Sequence, residues 1–269
     1  MFLLEPGETA YDLKWRMFGV DVRVHPMFWL VSAIMGFSLL SGPHGGVQLF
    51  AIWVGCVFVS ILIHELGHVC VFRLWGVDAH VVLYAFGGLA VPHRHLYNRW
   101  KRIAVSLAGP FAEFLIVALI GVALAAMGLD QLQAGVNKIL SIFGIPFRGT
   151  TVIGLDPLAE KAVSFLLWIN LFWALLNLLP IYPLDGGQVS RDLLDIIKPG
   201  GQGVRLALGM SLVLAGLLTV HCIMSEHDKP LIPFLPPLGM YSAMMFAMLG
   251  VQSYQMLQHE SNPPWRRED

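Results

Sequence analysis

Residues 48–72 form an apolar run longer than the roughly 20 residues a helix needs to cross a bilayer, yet "HELGH" stands inside it at positions 64–68. Five further stretches, at about 26–42, 103–127, 160–182, 204–224 and 231–255, have comparable length and character. The chain has 269 residues, and only 13% of them are charged, against about 25% in an ordinary soluble domain. The expected fold is therefore an α-helical polytopic membrane protein with about six transmembrane helices. Residues 1–25 are polar to mixed and carry no small-residue cleavage site, so the stretch at 26–42 reads as a span and not as a removable signal.

Basic residues orient such a chain. With the N-terminus in the cytosol and six spans, every one of the 17 Lys and Arg faces the cytosol except Lys138, Arg148, Lys161 and Lys229. That asymmetry is the positive-inside pattern and puts both termini in the cytosol. Nothing suggests nucleic-acid binding, because no basic block with interleaved aromatics occurs. The lipid bilayer is the partner the composition demands. The sequence contains no repeat and no room for an appended soluble domain, so residues 1–269 read as a single integral-membrane domain.

Two extramembrane stretches are long, 73–102 and 128–159. In the first, Val77, Ala79, Val81 and Leu83 alternate with other residues, and Gly87-Gly88 interrupts the pattern, which predicts a short strand or hairpin beside the membrane. The second is glycine-rich and reads as a loop with a short amphipathic helix around 131–143. Cys56, Cys70 and Cys222 lack C-x-x-C spacing. Cys56 and Cys70 would be buried roughly 21 Å apart on one helix, too far for a disulfide, so all three read as small apolar fillers.

On a helix, His64 and His68 are four residues apart and project from one face. H-E-x-x-H is a zinc-hydrolase pattern in which the histidines are ligands and the glutamate is the general base. The longer pattern with Gly and His further on is excluded, since Val71 and Leu74 occupy those places. Ionisable groups inside a membrane are costly and by default functional. Among Glu113, Glu160 and Asp185, the last has the richest setting, "NLLPIYPLDGG". Pro180 and Pro183 stop a regular helix, Gly186-Gly187 allow a tight turn, and broken backbone at that depth needs protein or a watery cavity around it. Asp185 and the H-E-x-x-H helix both end on the cytosolic side, so its carboxylate can turn toward His64 and His68.

"HELGH" on one span and "NLLPIYPLDG" on a later one resemble the site-2 protease family of intramembrane zinc metalloproteases. The second motif has the form N-x-x-P-x-x-x-x-D-G, and each fixed position matches. "FGVDVRVHPMFWL" is similar to the family's lead-in to its first span, "FGGLA" to its Gly-Gly strand, and "SLAGPFAEF" to its A-G-P turn into the next helix. The catalytic core would then be about 48–190, with the spans at about 26–42, 204–224 and 231–255 as additions. The resemblance implies one Zn2+ per chain held by His64, His68 and Asp185, Glu65 as catalytic base, and Asn177 lining the site. It implies cleavage of a transmembrane protein substrate by water activated between zinc and Glu65. It also suggests a prokaryotic cell membrane and an active site open to the cytosol, roughly 12 Å inside the bilayer. Phe86, Gly87 and Gly88 would offer a strand edge to an unwound substrate.

Where many members carry Asn after A-G-P-x-x, this chain has Glu113. Two readings stand: a protonated structural carboxyl hydrogen-bonded across helices to Asn170 or Asn177, or a group that relays protons or tunes the site. His93 and His95 could lie over the mouth of the site, while the remaining histidines outside the motif fit no ligand spacing. Two other functions remain open. A non-catalytic member acting as chaperone or regulator of membrane segments would be expected to lose Glu65 or a ligand. A metal transporter would spread its ligands along a pore.

Overall fold

A computed structural model of the protein describes residues 5–41, 46–126, 156–227, 229–232 and 239–261. The amphipathic helix expected around 131–143 lies outside these residues. The chain divides into two compact units, one of Leu4–His95 with Ala108–Leu175, the other of Met1–Leu3, Leu96–Leu107 and Leu176–Asp269.

The first unit opens with strands β1 (Leu13–Met17) and β2 (Val20–Val24), joined by a two-residue turn. Phe18 and Gly19 both have positive φ, 51° and 73°, as a tight hairpin with the natural strand twist requires. The Arg73 guanidinium donates to both turn carbonyls, at 2.7 Å and 2.6 Å, and so ties the turn to helix α2 (Val47–Leu74). Strands β3 (Ala79–Tyr84) and β4 (Gly87–Pro92) complete a four-stranded sheet in the order β1-β2-β3-β4. β2 pairs parallel with β3, and β3 pairs antiparallel with β4 from Ala79↔Pro92 to Tyr84↔Gly87. The predicted hairpin is therefore present, but as half of a larger sheet in which β3 is interior and β4 is an edge. Val22, Val24, Val81 and Leu83 make its dry face. Beneath β2, buried Arg23 bridges Glu5 and Asp12 at 2.6 Å and 2.9 Å. The Thr9 hydroxyl, aided by Arg23, holds the Asp12 carboxyl down at about 2.

Among the described residues, four helices are long and apolar enough to cross a membrane: α2, α3 (Arg99–Ala126, of which Arg99–Leu124 qualifies), α4 (Pro157–Asn177) and α6 (Gln202–Glu226). They coincide with four of the six predicted stretches. The first stretch instead forms the short α1 (Pro26–Gly36) and a single 3₁₀ segment, Phe37–Leu40. Pro26 starts it, and His25 Nδ1 accepts from the Met27 amide. The last stretch forms α7 (Met240–Ser261), which begins later than expected and is less apolar than the other four. Its Ser, Gln, Tyr and His content lowers the hydropathy.

In the first unit α2 packs closely on α3. A Cβ at Gly67 would lie 2.6 Å from the Ala108 carbonyl oxygen and 2.9 Å from Ala112 Cβ, so small residues set the crossing. Here the A-G-P element is not a turn into a helix, because α3 begins at Arg99 and runs through Pro110. Pro110 removes one backbone donor, and the helix continues on either side of it. Cys56 is buried, whereas Cys70 is exposed on the outer face of α2 and fills no core.

The second unit holds the chain around Pro180 and Pro183, followed by α5 (Asp185–Ile197), α6 and α7. Gly186 and Gly187 form no free turn after Asp185. They lie in the first turn of α5, pressed so tightly on the backbone of Leu178 and Ile181 that a Cβ at either would collide with it.

Candidate metal centre

His64 and His68 occupy one face of α2, both buried, with ring centroids 4.8 Å apart and planes at 80°. Their Nε2 atoms face each other at 3.1 Å. His64 Nδ1 lies 2.9 Å from Glu113 Oε2 of α3. With Nδ1 as the protonated donor to that carboxyl, His64 Nε2 carries a lone pair. Gly109, one helical turn before Glu113, keeps the space next to both Nε2 atoms clear. A Cβ there would lie 2.5 Å from His68 Nε2 and 2.6 Å from His64 Nε2.

One ligand atom from each of His64, His68 and Asp185 lies within 4.8 Å of the others, and all three residues are buried. Among the described residues this is the group positioned to bind a metal ion. Two imidazoles and a carboxylate are a donor set that suits zinc and leaves a fourth position open. The converging nitrogens and the space kept by Gly109 fit a bound cation as well.

Glu65 is buried beside His64, at 4% exposure. Gly88 of β4 presses on it so closely that a Cβ would collide with the Glu65 carboxyl group. Gly87 has a different task. Its φ of +111° suits the end of the two-residue hairpin turn, and a Cβ there would meet the Trp173 ring at 2.7 Å. The Gly-Gly pair thus serves both the turn and a close approach. Phe86, at the turn, is exposed and sits edge-on to Tyr84, with centroids 6.0 Å apart. Burial, and secondarily the charge of Glu65, pushes the Tyr84 phenol up to about 12. Asn177 is buried at the last residue of α4. Asn170 forms an interhelical bond, its amide donating to Ser60 Oγ of α2 at 2.9 Å.

Sequence reasoning missed the part that Gly109 and Trp173 play here. Gly109 could have been found from its spacing, since it stands four residues before Glu113 on one helical face. Trp173 carries no signal of its own.

A donor set of this kind, with a carboxylate one residue from a histidine ligand, is that of metal-dependent hydrolases. Residues 52–218 match Peptidase family M50, and the chain belongs to that family. It is 24% identical to a zinc metalloprotease of Methanocaldococcus jannaschii over 223 residues, which are 80% of this chain and 56% of that protein. It is 27% identical to the stage IV sporulation protein FB of Bacillus subtilis, over 90% of this chain and 68% of the relative. The chain spans about half the length of most curated relatives it matches. Its fold is similar to that of the solved site-2 protease from Methanocaldococcus jannaschii, with a TM-score of 0.53 at 19% identity, covering 91% of this chain and 94% of that one. The expected likeness to site-2 proteases is borne out.

Proposed function

We propose that this chain is an intramembrane zinc metalloprotease that cleaves transmembrane segments of membrane-anchored proteins. In this reading His64, His68 and Asp185 hold one zinc ion and Glu65 is the general base. The observation that carries it is the buried three-ligand group with a second carboxyl, Glu65, next to His64 and against an edge strand. Zinc bound there supplies the Lewis acidity that makes water nucleophilic near neutral pH. Glu65 takes the proton of the attacking water and passes it to the departing amide nitrogen, while Asn177 donates to the oxyanion. Conversion of Glu65→Gln should leave zinc content intact and lower cleavage of a membrane-anchored substrate about 10²- to 10⁴-fold. Normal turnover by that variant would sink the mechanism. The same variant, used as a trap, would retain the substrates and so identify them.

A scissile bond inside a helix is shielded by its own turn, so the substrate must unwind, and unwound backbone in a membrane needs new partners. We assign that task to β4, with Phe86, Gly87 and Gly88 at its start. β3 pairs on both sides, whereas β4 has one side without a strand partner among the described residues. Strand addition there would lay the substrate backbone beside Glu65. Proline placed singly across 89–91 should cut cleavage at the positions whose amide points outward, with zinc content unchanged. Unchanged cleavage at every position would reduce the hairpin to a scaffold. The basic-residue asymmetry supports cytosolic termini, and a cysteine label at position 190 should be reached from the cytosolic side only.

A further inference from the structure

Glu113 is fully buried in an apolar stretch of α3, at 0% exposure. A carboxyl in that setting is costly unless it has a partner, and its Oε2 lies 2.9 Å from His64 Nδ1. An imidazole has two nitrogens that a ring flip exchanges, and only the one without a proton can bind a cation. His64 Nε2 faces His68 Nε2 at 3.1 Å, so the useful tautomer carries its proton on Nδ1, where Glu113 Oε2 accepts it. The spacing on α3 fits both needs. Gly109 leaves room at the Nε2 pair, and Glu113, one turn on, reaches the opposite nitrogen of the same ring.

We infer that Glu113 is a positioning residue that locks the tautomer and rotation of His64 and thereby sets the affinity of the site for zinc. This rests on reading His64, His68 and Asp185 as a metal site. It accounts for an acidic residue where the resemblance led one to expect Asn. Glu113 touches neither the water nor the substrate in this account, and it acts through His64. Carboxylate partners of ligating histidines typically govern 10- to 100-fold in metal affinity.

The test uses the full chain in detergent, with zinc affinity read by competition against a chelator and the thermal midpoint of the metal-free protein read alongside. Glu113→Leu, of similar volume, removes the acceptor and should weaken zinc binding about 10- to 100-fold. Glu113→Gln keeps an acceptor oxygen but not the charge, and should show a smaller loss in the same direction. The metal-free midpoint of Glu113→Gln should match the parent, which a merely structural role would not predict. If Glu113→Leu does not fold, the Gln variant decides alone. Parental zinc affinity in every folded Glu113 variant, with zinc lost in His64→Ala, overturns this inference and leaves the metal site standing. A lower metal-free midpoint with parental zinc affinity overturns it too, and assigns Glu113 to structure. Full zinc retention in His64→Ala overturns the metal-site reading and this inference together.

Discussion

His64 and His68 are held by one unbroken helix, whereas Asp185 is held at the start of a helix that follows a break in the chain. The first pair needs only the helical period to share a face. The third residue depends on a set of contacts scattered over four elements. Gly186 and Gly187 press on Leu178 and Ile181. Two turns along α5, on the same face as Asp185, Asp192 is gripped by two nitrogens of Arg102, Nη2 at 2.6 Å and Nε at 2.8 Å. Arg99 adds Asp195 at 2.7 Å. Tyr182, three residues before Asp185, is held by serines of α6 and α7. A ligand on a continuous helix is cheap to specify, and a ligand after a break is not.

Paired glycine substitutions should break this contrast with the largest effect. Gly109→Ala puts a methyl against the ends of two imidazoles, so zinc should be lost while the metal-free protein still folds. Gly186→Ala puts one into the Leu178 carbonyl, which is backbone and cannot rotate aside. That variant should lose both zinc and its cooperative melt. Equal melting midpoints for the two metal-free variants would mean that the break is no more demanding than the helix.

The Arg102–Asp192 pair comes next. Asp192 is 3% exposed, so Arg102→Ala leaves a buried carboxylate with the longer Arg191 contact, at 3.6 Å, in place of a two-pronged partner. The loss should be about 2–3 kcal/mol, below the 3–5 kcal/mol of a wholly buried pair because Arg102 is partly solvated. Arg102→Lys should recover little, since one ammonium cannot reproduce a two-pronged grip. Denaturation in detergent measures the loss, and zinc retention shows whether it reaches Asp185. A parental midpoint for Arg102→Ala would remove the pair from the supports of α5.

The same contrast explains what could be read in advance. The H-E-x-x-H face follows from spacing within one helix, and Asp185 stood out as a carboxylate after two prolines. The β3–β4 hairpin was legible from the alternation of Val77 to Leu83. β1 and β2 were not, although Val20, Val22 and Val24 alternate equally well, because the stretch was read as the approach to a span. Their turn is tied down by Arg73, more than 50 residues away. Gly186-Gly187 looked like a turn because glycines permit one, but here the missing Cβ allows helix and backbone to touch. The partner of Glu113 lay beyond reach for a similar reason: His64 is 49 residues earlier, and no local pattern joins them.

The smallest expected effect concerns the serines, and it tests whether α7, which lies beyond the residues matched to the family, supports the Asp185 segment. Ser211 and Ser253 are buried and 2.7 Å apart. The bonds form a chain. The Tyr182 amide donates to Ser211 Oγ at 2.7 Å, the Ser211 hydroxyl donates to Ser253 Oγ, and the Ser253 hydroxyl lies within reach of two acceptors, the Tyr182 carbonyl at 3.0 Å and the Leu249 carbonyl at 2.9 Å. Ser211→Ala strips the Tyr182 N–H of this acceptor, and Ser253→Ala removes this donor from its carbonyl, at about 1–3 kcal/mol each. Because the two serines bond each other, either change breaks the chain, and the double variant should cost less than the sum by about 0.5 kcal/mol or more. Thermal midpoints of the four proteins measure that coupling. Additive losses would show two separate bonds, and a parental midpoint for Ser253→Ala would show that α7 does not support the segment through this residue.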